Sequence, residues 1–251
     1  MTFDISQLLE QWDYLPGQVV VRKFKAKDGS EKIQLRVDLG ILQMNAQGRP
    51  DGKRPLGHDS LFDHFVAQLE KHRSAHAGSD DNFALKVEDC AKLQQEAIQY
   101  HHRYICLFQL EDFDSVVRDA ERNLEVFDFV SHFAESDEMA WSIEQFRPQL
   151  LMMHTRAKGA LALKAGDYPA GIAAVEAGVE AIREFYRQHS RHDLMEQSGE
   201  LHSLDLWLEE IRSKRPLSER EKLENALDDA VKREDYEKAA QVRDALRNLK
   251  A

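Results

Sequence analysis

The stretch RAKGALALKAGDYPAGIAAVEAGVEAI, Arg156 to Ile182, decides how this chain folds. Before Gly166 the residues are strong helix formers, and after it apolar residues return at helical spacing. Gly166-Asp167 is a break between the two segments. Asp167 is placed to cap the new helix by accepting its free N–H groups. Pro169 falls in the first turn, where a missing N–H costs nothing. Gly159, Ala162, Gly171 and Ala174 put small residues on both segments, so the two helices can approach closely. The reading is a helical hairpin, and it makes the chain mainly α.

Two further junctions have the same form, LEDFDSV at Asp112-Phe113 and REDYEKA at Asp235-Tyr236. In each, the Asp can cap the new helix and the aromatic beside it can fold back onto the preceding one. This Asp-aromatic junction resembles the turn of tetratricopeptide hairpins. Asp112 and Asp167 lie 55 residues apart, whereas a regular array repeats every ~34. The resemblance therefore implies an irregular tetratricopeptide-like array of stacked hairpins. An ordinary helical bundle whose turns coincide is the alternative. Long helices are expected near 87–110, 113–134, 137–165, 168–188 and 193–213. Ahead of them, SLFDHFVAQLEKH puts Leu61, Phe62, Phe65 and Leu69 on one helical face. Pro148 lies inside the third long segment and either kinks or splits it.

The N-terminal part has a different period. In GQVVVRKFKAKDGSEKIQLRVDLG, Gly17 to Gly40, two alternating runs flank Lys27-Asp28-Gly29-Ser30. Period two around an Asp-Gly turn predicts a β-hairpin. Leu42 and Met44 are candidates to continue a strand, and Gly48 to Gly57 is loop chemistry. An isolated hairpin is marginal in water, so this one must pack on the helices. The expected organisation is a β-hairpin region over 1–57, a helical tetratricopeptide-like domain over 58–215 and a terminal helical hairpin over 216–251.

Composition narrows the function classes. The 251 residues carry a formal net charge of -11, which repels nucleic acid and anionic membranes at long range. No run approaches the ~18 apolar residues of a membrane span, and the start has no apolar signal core. Cys90 and Cys106 fall on one expected helix about 24 Å apart, too far for a disulfide. A cytoplasmic protein with two reduced thiols and no membrane contact is the expectation.

The terminal segment carries the most specific pattern. Pro216 stops the preceding helix, and Ser218 with Glu221 forms an S-x-x-E capping box. Leu223, Ala226, Leu227, Ala230 and Val231 make one apolar stripe. After Glu234-Asp235, the spacing recurs through Tyr236, Ala239, Ala240, Arg243 and Leu246, with Leu249 near the end. Two antiparallel helices with facing stripes follow. LENALDDAVKREDYEKAAQVRDALRNL, Leu223 to Leu249, resembles the UVR motif near the C-termini of the excision-repair proteins UvrB and UvrC. The motif also occurs in the bacterial chaperone-ATPase ClpC and its partner McsA. Leu223, Ala230, Glu234, Tyr236, Glu237, Ala239, Ala240, Arg243, Asp244 and Leu249 carry the resemblance. It covers about the last 32 residues, and no P-loop lies upstream. Gly17 to Gly52 resembles the opening of bacterial proteins that carry a UVR motif, and it lends no activity.

A hairpin this short buries too little surface to offset ordering its backbone, at ~1–2 kcal/mol per residue. Alanines on its inner face supply close approach but little apolar area. Its stripe therefore needs another surface: a second copy, the body of the same chain or a different protein. The resemblance implies helical-hairpin pairing, as between UvrB and UvrC. The candidate partner-binding residues are Leu223, Leu227, Tyr236, Ala239, Ala240, Arg243, Asp244 and Leu246. Tyr236 is expected in the core of the hairpin. Arg243 either packs its stem with its head in water or pairs with an acid on the partner.

No catalytic pattern appears. The eleven histidines include the adjacent His101-His102, which point about 100° apart on a helix and are poorly placed to share one ion. No G-x-S-x-G and no H-E-x-x-H occurs. The expectation is a protein that is not an enzyme, with no cofactor and no metal. Its function is that of an interaction scaffold or adaptor docking through the terminal hairpin, as a homodimer or with another protein. The alternative is a DNA-repair-associated accessory contacting nucleic acid through Arg22, Lys23, Lys25, Lys27, Lys32 and Arg36. Asp28, Glu31, Asp38 and Asp51 interrupt that strip, so a solvated lysine face that blunts edge aggregation is its structural reading. Whether repair or protein quality control is the setting stays open.

Overall fold

A computed structural model of the chain describes residues 4–249, so the first three residues of the N-terminal region and the last two of the terminal hairpin lie outside it. It divides into two compact units, one up to Leu208 and one from Glu209 onward. The elements of the first are α1 (Ser6–Glu10), β1 (Val20–Lys25), β2 (Glu31–Val37), β3 (Gly40–Asn45), α2 (Leu61–Ala75), α3 (Val87–Gln109), α4 (Phe113–Phe133), α5 (Asp137–Glu144), α6 (Arg147–Lys164), α7 (Tyr168–Gln188) and α8 (His192–Glu196). Helix α9 (Gly199–Lys214) spans the division, and α10 (Glu219–Lys232) and α11 (Tyr236–Asn248) complete the chain.

The expected β-hairpin is present, and β3 extends it into an antiparallel sheet of order β1-β2-β3. Its first turn is held by Asp28, whose Oδ1 accepts from the amide and hydroxyl of Ser30 at 2.9 and 2.6 Å, with Gly29 at φ +81°. Ile33 on β2 faces Met44 on β3, and both are buried in one core with Phe65, Leu69, Leu93 and Leu107. The sheet thus lies against helices through one face, as its marginal size requires.

The helical part is built from antiparallel neighbours: α3 packs on α4, α4 on α6, and α6 on α7. The expected helix over 137–165 is split. Gln145 closes the first piece, Phe146 is the N-cap of the second, and Pro148 sits in the first turn of α6. The helix expected over 193–213 also divides, because Ser198 Oγ accepts from Leu201 N at 3.2 Å and starts α9.

The three Asp-aromatic junctions share one backbone. Glu111, Gly166 and Glu234 each have positive φ, and the following Asp amide donates back to Leu107, Ala162 and Ala230. This is the Schellman closure, which satisfies the last carbonyls of each helix. A fourth copy at Ser190-Arg191 returns an amide to Tyr186. The capping expectation holds at two of the three. Asp167 accepts from Ala170 N at 2.9 Å and Asp235 from Lys238 N at 3.1 Å. Asp112 caps nothing, because its carboxylate turns to Lys23 Nζ of β1 at 3.4 Å. Phe113 does fold back, edge-on to Phe108 at 5.3 Å.

The small residues of the opening stretch act as read. A Cβ on Gly159 would lie 2.7 Å from the Trp207 ring, and one on Gly171 3.0 Å from Leu163. Gly178 is tighter still, since its Cβ would fall 1.9 Å from Thr155 Oγ1.

Candidate interaction surfaces

Helices α10 and α11 form the expected terminal hairpin. Its start is fastened twice. Ser218 Oγ accepts from Glu221 N at 3.2 Å, while Glu221 Oε2 accepts from Ser218 N at 2.8 Å, closing the capping box. Glu221 also takes both terminal nitrogens of Arg215. The Arg215 guanidinium first, then the Ser218 hydrogen bonds, pull the Glu221 carboxyl down to about 2.

Inside the hairpin the contact is thin. Ala230 and Ala239 are the fully buried side chains of α10 and α11 among the described residues. Leu223, Ala226 and Leu227 on α10, and Ala240, Val242, Ala245 and Leu246 on α11, are half-buried. The α11 stripe is therefore rotated from the one read in the sequence: Val242 points inward and Arg243 outward. Arg243 is exposed, its Nε 4.0 Å from Asp244. The expectation that Tyr236 sits in the hairpin core is corrected, because it is 71 % exposed. It follows a Schellman turn at the hairpin tip and stands open there. Val231, the last residue of the α10 stripe, is open as well, at 51 %. Tyr236, Val231 and Leu249 thus form apolar surface that the hairpin does not cover.

The sequence of this hairpin now has a structure that fits one motif. Residues 218–251 match the UVR family model, the UvrB/uvrC motif. The match spans the capping box, both UVR helices and the turn between them. Comparisons with curated proteins and with solved structures return no match. The UVR motif supports a general interaction role for this end of the chain.

The basic residues of the sheet do not gather into one strip. Strand register puts Arg22, opposite Gln34, on one face and Lys23, opposite Ile33, on the other. Arg36 is buried and donates to the carbonyls of Trp12, Asp38 and Gly40 at 2.8, 3.0 and 3.2 Å. Arg22 bonds Gln34 at 2.8 Å and covers the Trp12 ring at 4.3 Å. Lys23 pairs with Glu31 and Asp112, and Lys32 with Asn45. Lys25 and Lys27 are exposed.

Sequence reasoning missed a buried charge network. Arg103 closes on both oxygens of Asp119 and donates to the carbonyls of Asn45 and Gly48. Glu96, 1 % exposed, accepts from the Leu61 and Phe62 amides at the start of α2 and pairs with Arg122. Arg49 Nε lies 2.9 Å from the same carboxylate. Arg122 covers the Tyr100 ring at 4.0 Å. The signal was available: Glu96, Tyr100 and Arg103 share the apolar face of α3, as do Asp119 and Asn123 on α4.

A cavity of ≈ 340 Å³ lies among α3, α4, α5 and α6, lined mainly by apolar and aromatic side chains with His101 at its wall. His101 Nδ1 is 2.6 Å from the Tyr104 hydroxyl. Burial, then neighbouring His102, pushes the His101 imidazole down to about 4. Asn123 Nδ2 and Gln94 Nε2 are committed to the carbonyls of Ala97 and Ser142. Cys90 and Cys106 are buried free thiols, and burial pushes Cys106 up to about 12. Among the described residues no group of three or more His, Cys, Asp or Glu is placed to hold a metal ion, and no helix is long and apolar enough to cross a membrane.

Proposed function

We propose that this protein is a non-enzymatic scaffold or adaptor that docks through its UVR hairpin onto another helical surface. The observation that carries this is the thinness of the hairpin. Among the described residues its buried side chains are two alanines, while Leu223, Leu227 and Leu246 remain half covered and Val231 and Tyr236 stand open. Burying apolar area is worth ~25 cal/mol per Å², and this area is left over after the two helices have met. Arg243 and Asp244 are exposed on α11 and supply polar rim contacts. At the apolar cavity, Gln94, His101 and Asn123 are tied to neighbours, which supports a binding role for the body.

The nucleic-acid reading is the weaker one. It has the motif's general link to repair proteins in its favour. Against it, Arg22, Lys23, Lys32 and Arg36 are engaged within the fold. Phosphate binding would break those contacts before making new ones.

The test compares the full chain, a chain ending at Leu217 and a full chain carrying Val231→Lys with Tyr236→Ser. Sedimentation velocity and affinity capture are read together. Docking through the hairpin predicts a complex that the full chain forms and both altered chains lose. Equal behaviour of all three sinks the reading. Duplex or single-strand binding that weakens steeply with salt would favour the accessory role instead.

A further inference from the structure

The two edges of the sheet are built differently. β1 presents Arg22, Lys23 and Lys25, charges of the kind that keep a second strand from pairing along an edge. β3, Gly40 to Asn45, reads Gly-Ile-Leu-Gln-Met-Asn and carries no charge at all. An uncharged open edge is a template for pairing.

Register shows which backbone groups of β3 are in use. Ala46 N donates to Glu31 O at 3.0 Å, and the ladder then alternates. Met44, Leu42 and Gly40 aim their backbone groups at β2, and Asn45, Gln43 and Ile41 aim theirs away. Asn45 has both groups engaged: its amide donates to Pro50 O at 2.8 Å and its carbonyl accepts from Arg103 at 3.0 Å. The amides and carbonyls of Ile41 and Gln43 have no protein partner among the described residues. Beside this edge, on the helix-facing side, is a cavity of ≈ 150 Å³ bounded by Leu42, Met44, Pro50, Gln99 and His102 and by Asp51, whose carboxylate pairs with Arg49 at 3.3 Å. Leu42 is 38 % exposed at its mouth.

We infer that a second copy of this chain pairs along β3, antiparallel, about a two-fold axis through Leu42. In that register Ile41 faces Gln43 of the second copy and Gln43 faces its Ile41. Two such pairs make four N–H···O bonds and use every open group of the edge. Leu42 meets its own counterpart in the non-hydrogen-bonded position, with Cα atoms about 4.5 Å apart. The incoming leucine lies over the cavity. Met44 stands opposite Gly40, large against small, and no charge meets a like charge. Pairing stops at Asn45, so the interface is short and the dimer weak and concentration-dependent. The residues of this edge belong to the first unit and those of the UVR hairpin to the second.

The test uses the full chain. Leu42→Cys places two thiols at a Cα separation within disulfide range, so oxidation with diamide yields a disulfide-linked dimer. Leu39→Cys, at a turn position 89 % exposed, is the control and stays mostly monomeric. Cys90 and Cys106 are buried and do not compete. In sedimentation over an about hundred-fold concentration range, the dimer fraction of the wild type rises. Gln43→Pro removes an N–H that points away from β2 and fits an edge strand. Leu42→Lys sets two like charges face to face. Both lose the dimer while the thermal melt of the fold is kept. A wild-type monomer throughout overturns the pairing, as does equal crosslinking from Leu39→Cys. A dimer that survives Gln43→Pro and Leu42→Lys but falls with Val231→Lys overturns it too, and leaves the hairpin docking standing.

Discussion

The guanidinium of Arg103 on α3 grips both carboxylate oxygens of Asp119 on α4 at 2.6 and 2.8 Å, and each side chain is 1 % exposed. The same guanidinium donates to the carbonyls of Asn45 and Gly48. One buried cation therefore ties the helical body to the end of β3. Asp119→Ala leaves that cation buried and uncompensated, and the expected loss is about 3–5 kcal/mol. Replacing the pair together, Arg103→Met with Asp119→Leu, costs less than the single change. Urea unfolding of the two variants checks the order. A single variant as stable as the wild type would show the pair to be ornamental.

Gly178 fixes how closely α7 approaches α6. A methyl group there meets Thr155 at 1.9 Å, so the helices must separate. Gly178→Ala is expected to destabilise by about 1–3 kcal/mol, despite the better helix propensity of alanine. Adding Thr155→Ala recovers part of the loss, because the nearest atom is gone. Thermal melts of the two variants read both effects.

Acid acts on the histidines before the carboxylates. His101 is held at about 4 in the fold, against an ordinary value of 6.5. Its neutral form is favoured by burial, so the unfolded chain binds the proton first. The His101 contribution leaves stability unchanged above pH 6.5, lowers it as pH drops from 6.5 toward 4, and is constant below. His102 and His154 are displaced the same way, chiefly by burial. His101→Gln is expected to flatten this slope in a urea titration run at several pH values, and an unchanged slope would assign it elsewhere.

The hairpin start depends on its capping box. Ser218→Ala removes the acceptor for Glu221 N and is expected to cost about 1 kcal/mol of local stability. Glu221 adds a pH signature. Its folded value of about 2 lies below the ordinary 4.5, so its contribution is complete above pH 4.5 and vanishes as pH falls through 2. Amide exchange in α10 is the measurement, with faster exchange in Ser218→Ala expected near the helix start.

Local pattern was enough for much of this architecture. Asp-Gly between alternating runs predicted β1 and β2, and Gly166-Asp167 predicted the α6–α7 turn, because turn and cap chemistry act within a few residues. The UVR hairpin was legible for the same reason, since its capping box and alanine stripes are short-range. Sequence alone did not resolve whether Pro148 kinks or splits a helix, and it placed Tyr236 inside a hairpin that leaves it open.

What the sequence determined by itself is where the chain turns and which residues start each helix, because those choices depend on neighbours at most five positions away. Only the tertiary structure decided that Asp112 leaves its helix to meet Lys23, that Arg36 and Arg103 turn inward, and that β3 keeps an uncharged open edge. Each of these joins groups dozens of residues apart or depends on which strand lies outermost. Burial raises the strength of such pairs and the cost of leaving them unmade, and burial is a property of the assembled fold.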